Sequence, residues 1–277
     1  MIMHRNFLLL FFSLATFNGR SQEIGLQLYS FRKQIPSDIP GTFQKIRSMG
    51  IHELEGGDTY GMSMEAYKKI LADNRMKMVS IGAEYNLLQT NIDSVVHEAK
   101  AFGASYVVCF WIPHTGTSLT AEEAKKAAAV FNAAGKIFKD NSLKFCYHPH
   151  GYEFAPYADG NVFDLLAKEL DPARVNFEMD VFWVKQAGLD PVGLLKRYPG
   201  RFLLMHLKDR RPGTPDSQDG KADEESNVVL GQGDVGIPAI MAIARKSGVK
   251  HFFIEDESSR PLEQVPASLT FLRQIQR

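Results

Sequence analysis

From Glu23 onward the chain repeats one pattern eight times: a short run of β-branched, aromatic and aliphatic residues, then a longer stretch with the spacing of an amphipathic helix. The runs that read as strands are residues 24–29, 51–55, 76–82, 106–110, 143–148, 175–180, 202–207 and 251–255. Helical patterns lie near 38–49, 64–74, 88–102, 120–139, 161–169, 190–197, 236–247 and 261–276. Thr120 and Glu123 open the fourth helix with the spacing of a capping box. Strand then helix, eight times over at roughly 30-residue spacing, predicts an α/β fold with a closed parallel sheet, a single (β/α)8 TIM barrel. An open doubly wound sheet would carry a Gly-rich phosphate turn after its first strand. Here that strand runs into Tyr29-Ser-Phe-Arg-Lys-Gln34, without G-x-G-x-x-G.

The barrel domain is assigned to residues 23–277, and the 44% hydrophobic content is enough to fill one large core. Residues 1–22 have a different layout. His4 and Arg5 precede an apolar run from Phe7 to Phe17, and a polar stretch follows from Asn18. That is the order of a secretory signal peptide. The run falls short of the ~20 apolar residues that span a bilayer, so a periplasmic or secreted mature chain, free of the membrane, is expected. Lys plus Arg and Asp plus Glu number 32 each. With no net field to draw a polyanion, nucleic acid is not an expected partner. Cys109 and Cys146 are the only cysteines and are expected as buried free thiols rather than a disulfide framework. Monomer and homodimer stay equally open.

Side chains at the strand ends of such a barrel converge on its C-terminal face, where the chemistry gathers. The second strand ends on Glu55. The fifth ends on His148, with His150 and Glu153 just beyond; the sixth ends on Asp180; the seventh carries His206, Lys208 and Asp209; the eighth ends on Glu255. A single acid in such a place is ordinarily a helix cap or an ion-pair partner. Together, Asp180 and Glu255 would oppose each other's charge unless a cation lay between them. His148, Asp180, His206 and Glu255 are therefore the expected metal ligands, an oxygen–nitrogen set suited to Mn, Zn, Co or Mg. Glu255 or Glu153 is the candidate base, and Lys208 or His150 the candidate acid. Lys208 shares the face of His206 by period-two alternation. A sugar site pairs an aromatic wall with hydrogen-bonding groups. Tyr29, Gln27, Trp111, His114 and Trp183 are expected to build that wall, with Glu55 as a further substrate contact. The long connection from Arg210 to Val235 is expected as a partial lid, and His52 and His97 are given no role.

The segments Ile24-Gly-Leu-Gln-Leu-Tyr-Ser30, Tyr147-His-Pro-His-Gly-Tyr-Glu-Phe154, Asp180-Val-Phe-Trp183, His206-Leu-Lys-Asp209, Gly231-Gln-Gly-Asp-Val-Gly236 and Ile254-Glu255 resemble, in this order, the xylose isomerase-like TIM-barrel superfamily of sugar isomerases, epimerases and inosose dehydratases. The resemblance implies that Asp180, His206 and Glu255 bind a divalent metal. The fourth family ligand, commonly a Glu ending the fifth strand, has no carboxylate counterpart in Phe145-Cys-Tyr-His148, so His148 is the substitute. It further implies a metal-dependent sugar isomerase or epimerase that abstracts a proton next to a carbonyl through an enediolate. The alternative is a metal-dependent lyase, dehydratase or hydrolase of keto-sugars or keto-glycosides, which gains weight from the missing carboxylate. A non-catalytic sugar-binding barrel stands third. A nuclease of this fold would need more ligands and a cationic face. The expected partner is a small carbohydrate.

Overall fold

The computed structural model describes residues 23–276; the expected signal peptide lies outside them. Eight parallel strands close into a barrel: β1 (Ile24–Gln27), β2 (Glu53–Gly56), β3 (Lys77–Gly82), β4 (Tyr106–Cys109), β5 (Lys144–Tyr147), β6 (Val175–Asp180), β7 (Phe202–Leu207) and β8 (His251–Ile254). Each strand pairs with its neighbours in sequence, and β1 pairs with β8 through Ile24↔Phe252, Gly25↔Phe253 and Leu26↔Ile254 to close the ring. Gly25 makes that seam possible, because a Cβ there would stand 2.6 Å from the Phe253 ring and 2.8 Å from the Glu53 carbonyl oxygen.

Two apolar layers follow from the two periodicities. Outward strand residues such as Phe145, Phe177, Met179 and Phe202 meet the helices in one large core. Inward residues Val79, Tyr106, Val108, Cys146, Leu204 and Phe253 fill the barrel itself in a smaller one. Below that plug the N-terminal end is closed by Glu53, whose carboxylate takes His251 Nδ1 at 2.7 Å and Lys77 Nζ at 2.8 Å. Above it the inward positions turn polar, and there the candidate ligands lie.

Four of the strands end one or two residues earlier than the hydrophobic runs that announced them. Chain past Gln27, Cys109, Tyr147 and Ile254 leaves the ladder, which frees Tyr29, Phe110, His148 and Glu255 for the barrel mouth. The pattern at 88–102 resolves into helices Tyr85–Thr90 and Ile92–Phe102, broken at Asn91 (φ −156°). A helix at Val181–Gln186 was not anticipated; it starts directly off β6, its first amides capped by Asp180. The capping box at Thr120 and Glu123 forms as expected. Cys109 and Cys146 are buried free thiols, and burial pushes Cys109 up to about 12.

Candidate metal centre

β6 and β7 set Asp180 and His206 side by side in register. The Asp180 carboxylate is divided between two tasks. Its Oδ1 accepts the amide of Phe182 at 2.8 Å and caps the helix that follows, while its Oδ2 is buried with no hydrogen-bond partner. Around that orphan oxygen lie His148 Nε2 at 3.9 Å and His206 Nδ1 at 4.0 Å, and His206 Nδ1 is itself 3.2 Å from His148 Nε2 and 3.4 Å from Glu255 Oε2. Four donors on bonds of about 2.1 Å around one ion stand about 3.4 Å from each other, so the observed spacings fit a shared cation. Burial first, and then the Glu255 charge, raise Asp180 to about 7, while burial holds the His148 imidazole neutral. A buried carboxylate oxygen with no hydrogen bond, 3.8 Å from Lys208 Nζ and beside the neutral imidazole of His148, is an arrangement a metal stabilises. The donors of Asp180, His206 and Glu255 lie close enough together to hold a divalent ion, with His148 beside two of them.

Glu55 was expected to touch substrate, but it is fully buried beneath His206. Its Oε1 lies 2.6 Å from His206 Nε2 and also accepts Gln27 Nε2 at 2.9 Å. A carboxylate can only accept there, so Nε2 carries a hydrogen; against its burial, the charges of Glu178, Glu255 and Glu55 raise the imidazole well above its usual range, and a metal would take the place of the proton on Nδ1. Glu178, missed in the sequence, completes this under-layer, 3.4 Å from His206 Nε2. Burial and the neighbouring Glu55 charge push its carboxyl well above the usual range. Its signal was available: it lies two residues before Asp180 on one strand and so faces the same way.

Two other expected roles change. Glu153, a candidate base, is fully buried away from the cavity; it accepts the amides of His150 at 3.1 Å and Gly151 at 2.9 Å, and the Tyr147 hydroxyl. Gly151 (φ +102°) turns the chain back on itself, so that His150 enters the cavity and Glu153 clips the turn from behind. Lys208, a candidate acid, is buried behind Glu255. Its Nζ contacts Glu255 Oε2 at 3.3 Å and Glu257 Oε1, and it packs over the rings of Phe182 and Trp183. Burial would lower it, yet Glu255, Glu257 and Asp180 outweigh that and raise it, so it stays an ammonium. The Lys208 ammonium and His206 in turn hold Glu255 well below the usual range against its burial. His150 is kept neutral by burial, lowered to about 3, with its Nδ1 unpartnered.

These groups floor a cavity of about 770 Å³. Gln27, Tyr29, Trp111 and Trp183 line it as expected, with His150 against both indoles. His114 does not line it; it stacks on Tyr152 at 4.1 Å and backs Trp111. Loops add lining residues that the sequence reading did not single out: Arg32, Asp58, Glu84 and Glu257 near the mouth, and Phe110 deeper. The connection after β7 is less a lid than a wall. Ser217 and Pro215 hydrogen-bond Gln186 at 2.7 and 2.8 Å, and Gly220 packs on Tyr152 where a Cβ would come within 2.8 Å of the ring.

Comparison with known proteins matches residues 43–275 to the family described as xylose isomerase-like TIM barrel. An inosose dehydratase of Clostridium tetani is 26% identical over 145 residues, 52% of this chain and 43% of that protein, so this alignment spans less than half of the relative. Inosose dehydratase 1 of Bacillus cereus is 24% identical over 241 residues, 76% of this chain and 79% of the relative. Among solved structures, a sugar phosphate isomerase/epimerase from Parabacteroides distasonis superposes with TM-score 0.76 at 24% identity, covering 91% of this chain and 98% of that one. The IolI protein with a bound zinc atom superposes with TM-score 0.70 at 15% identity, covering 92% and 96%.

Proposed function

Because the chain belongs to the xylose isomerase-like TIM-barrel family, we propose that it is a divalent-metal-dependent enzyme that removes the proton next to a carbonyl of a small carbohydrate and completes the reaction by eliminating water, as a dehydratase does. The observation that carries the elimination is His148 at the end of β5. An imidazole stands where a second carboxylate, across the cavity from Glu255, would serve a two-base isomerase or epimerase. The curated relatives are dehydratases, in keeping with this reading.

Held by His148, Asp180, His206 and Glu255, a divalent cation such as Zn, Mn, Co or Mg supplies a Lewis acid that makes the C–H beside a carbonyl more acidic. The chain's own groups do the rest. Glu257 lines the cavity, is not a ligand, and is aimed by its contact with Lys208. As a carboxylate it takes the C–H proton, and as the acid so formed it returns that proton to the departing hydroxyl, which leaves as water while the C=C forms. His150, neutral, donates an N–H hydrogen bond to the oxygen on which negative charge develops. Gln27 and the aromatic wall of Tyr29, Trp111 and Trp183 orient the substrate and shed water from the cavity.

The test is a panel of keto-sugars with metal-loaded protein. Growth of the ultraviolet absorbance of a conjugated enone supports elimination; an epimeric or isomeric sugar without that absorbance establishes the isomerase reading instead. Glu257→Gln is expected to lower kcat about 100-fold or more while metal content stays unchanged. Unaltered turnover would remove Glu257 from the proposal.

A further inference from the structure

Resting on the carbohydrate reading just given, we infer that the substrate is an uncharged polyol or keto-sugar and that the cavity selects against phosphorylated sugars, because the backbone amides gathered in the loops after β7 and β8 are taken by the chain itself and the acids at the cavity mouth stand without ion-pair partners. In barrels of this kind a phosphate sits on backbone amides of the loops after the seventh and eighth strands. Here the glycine-rich loop after β7 wraps the chain's own carboxylate. Asp209 takes the amides of Gly231 and Gly233 on Oδ2 at 2.8 and 3.0 Å, and those of Val235 and Arg210 on Oδ1 at 3.1 and 3.0 Å. That is an anion-binding concavity holding an intramolecular anion.

The loop after β8 is closed in the same way. The amide of Glu257 goes to Asn227 at 3.0 Å, that of Ser258 to Asp256 at 2.9 Å, that of Ser259 to Glu225 at 2.8 Å and that of Arg260 to the Ser258 hydroxyl at 3.1 Å. None is left to point at a ligand.

The cations are committed as well. Arg32 is the one Arg or Lys among the described lining residues. Its guanidinium stacks on Tyr29, bonds the Glu257 carbonyl at 2.7 Å and pairs with Glu224 at 2.8 Å. Lys208 is buried against Glu255 and Glu257. The two charges of a bound divalent ion are balanced by Asp180 and Glu255. Asp58 and Glu84 remain at the mouth, exposed and with no ion-pair partner among the described residues. A phosphate dianion would meet two acids without ion-pair partners and no uncommitted Arg or Lys among the described lining residues. Uncharged hydroxyls meet no such opposition.

The full chain offers a direct readout, since its two tryptophans, Trp111 and Trp183, both line the cavity and report occupancy by fluorescence. Manganese-loaded protein is titrated with a panel of uncharged ketoses and inososes, with the 6-phosphate and 1-phosphate esters of the same ketoses, and with inorganic phosphate. At least one uncharged compound is expected to bind at least tenfold more tightly than its ester, with inorganic phosphate failing to compete. Asp58→Lys combined with Glu84→Lys is expected to close that gap by about tenfold, and added salt to reverse the gain. Tighter binding of an ester, competition by inorganic phosphate, or absence of any uncharged ligand overturns the inference. Deuterium exchange from solvent into the bound compounds is followed in the same samples. If an ester exchanges and its parent sugar does not, the selectivity is wrong and the proton-abstraction reading stands. If uncharged ligands bind and none exchanges, the reading fails and the selectivity stands.

Discussion

Asp180 shows how one side chain ties scaffold to chemistry. Its two oxygens separate two experiments. Asp180→Asn keeps an oxygen to cap Phe182 but loses the anionic donor, so bound metal measured by mass spectrometry of the purified protein should fall sharply with little change in Tm. Asp180→Ala removes the cap too and should cost a further ~1 kcal/mol. Beneath it, Glu55→Ala removes the acceptor of the His206 Nε2–H, and metal affinity is expected to drop about 10- to 100-fold in competition with a chelator. An unchanged affinity would mean that Glu55 does not set the tautomer. Asp180, His206 and Glu255 were legible in the sequence because each ends a hydrophobic run, and a strand end in a barrel has a known destination. Glu178 was less legible because it lies inside its strand rather than at the end, where only its two-residue spacing from Asp180 marks the shared face. Glu153 was misplaced because only the backbone at Gly151 reveals that the chain reverses there. Arg32, Asp58 and Glu257 arrive on loops, whose paths no periodicity encodes.

Among elements, the segment between β7 and the helix Ile237–Ala244 departs most from expectation. Its prolines, glycines and mixed charges read as a loose cover. Yet Asp209 gathers four of its amides and Arg210 bridges Asp216 at 2.7 Å and Asp234 at 2.9 Å. Asp209→Ala leaves those buried amides without an acceptor and should cost about 3 kcal/mol. The loss should appear as a lower Tm together with faster proteolysis near residues 210–235; a stable, protease-resistant variant would mean the loop is held by its other contacts. The element count was legible because strand and helix periods alternate cleanly. The helix Val181–Gln186 was not, since an apolar Val-Phe-Trp-Val directly after a strand has no turn signal to mark where one period gives way to the other.

At the scale of the molecule, the two ends of the barrel are built differently. The C-terminal end carries the centre, whereas the N-terminal end is closed by the Glu53, His251 and Lys77 cluster. Burial would raise Glu53, but hydrogen bonds from His251 and Lys77 outweigh it and leave the carboxyl lowered. The cluster therefore contributes its stability in full above the ordinary glutamate range and loses it as pH falls through that range to the lowered value. Denaturant titrations should show Glu53→Gln less stable by about 2 kcal/mol at neutral pH and level with the parent once Glu53 is protonated. A constant difference across pH would contradict this. The seam between β1 and β8 has a further consequence. The earliest barrel strand to be synthesised waits for the latest, so through most of translation one edge of Ile24–Gln27 stays bare and Gln27 and Glu55 have no Glu255 opposite them. Until β8 slides in beside Gly25, the chain can close neither the ring nor the trio of Asp180, His206 and Glu255.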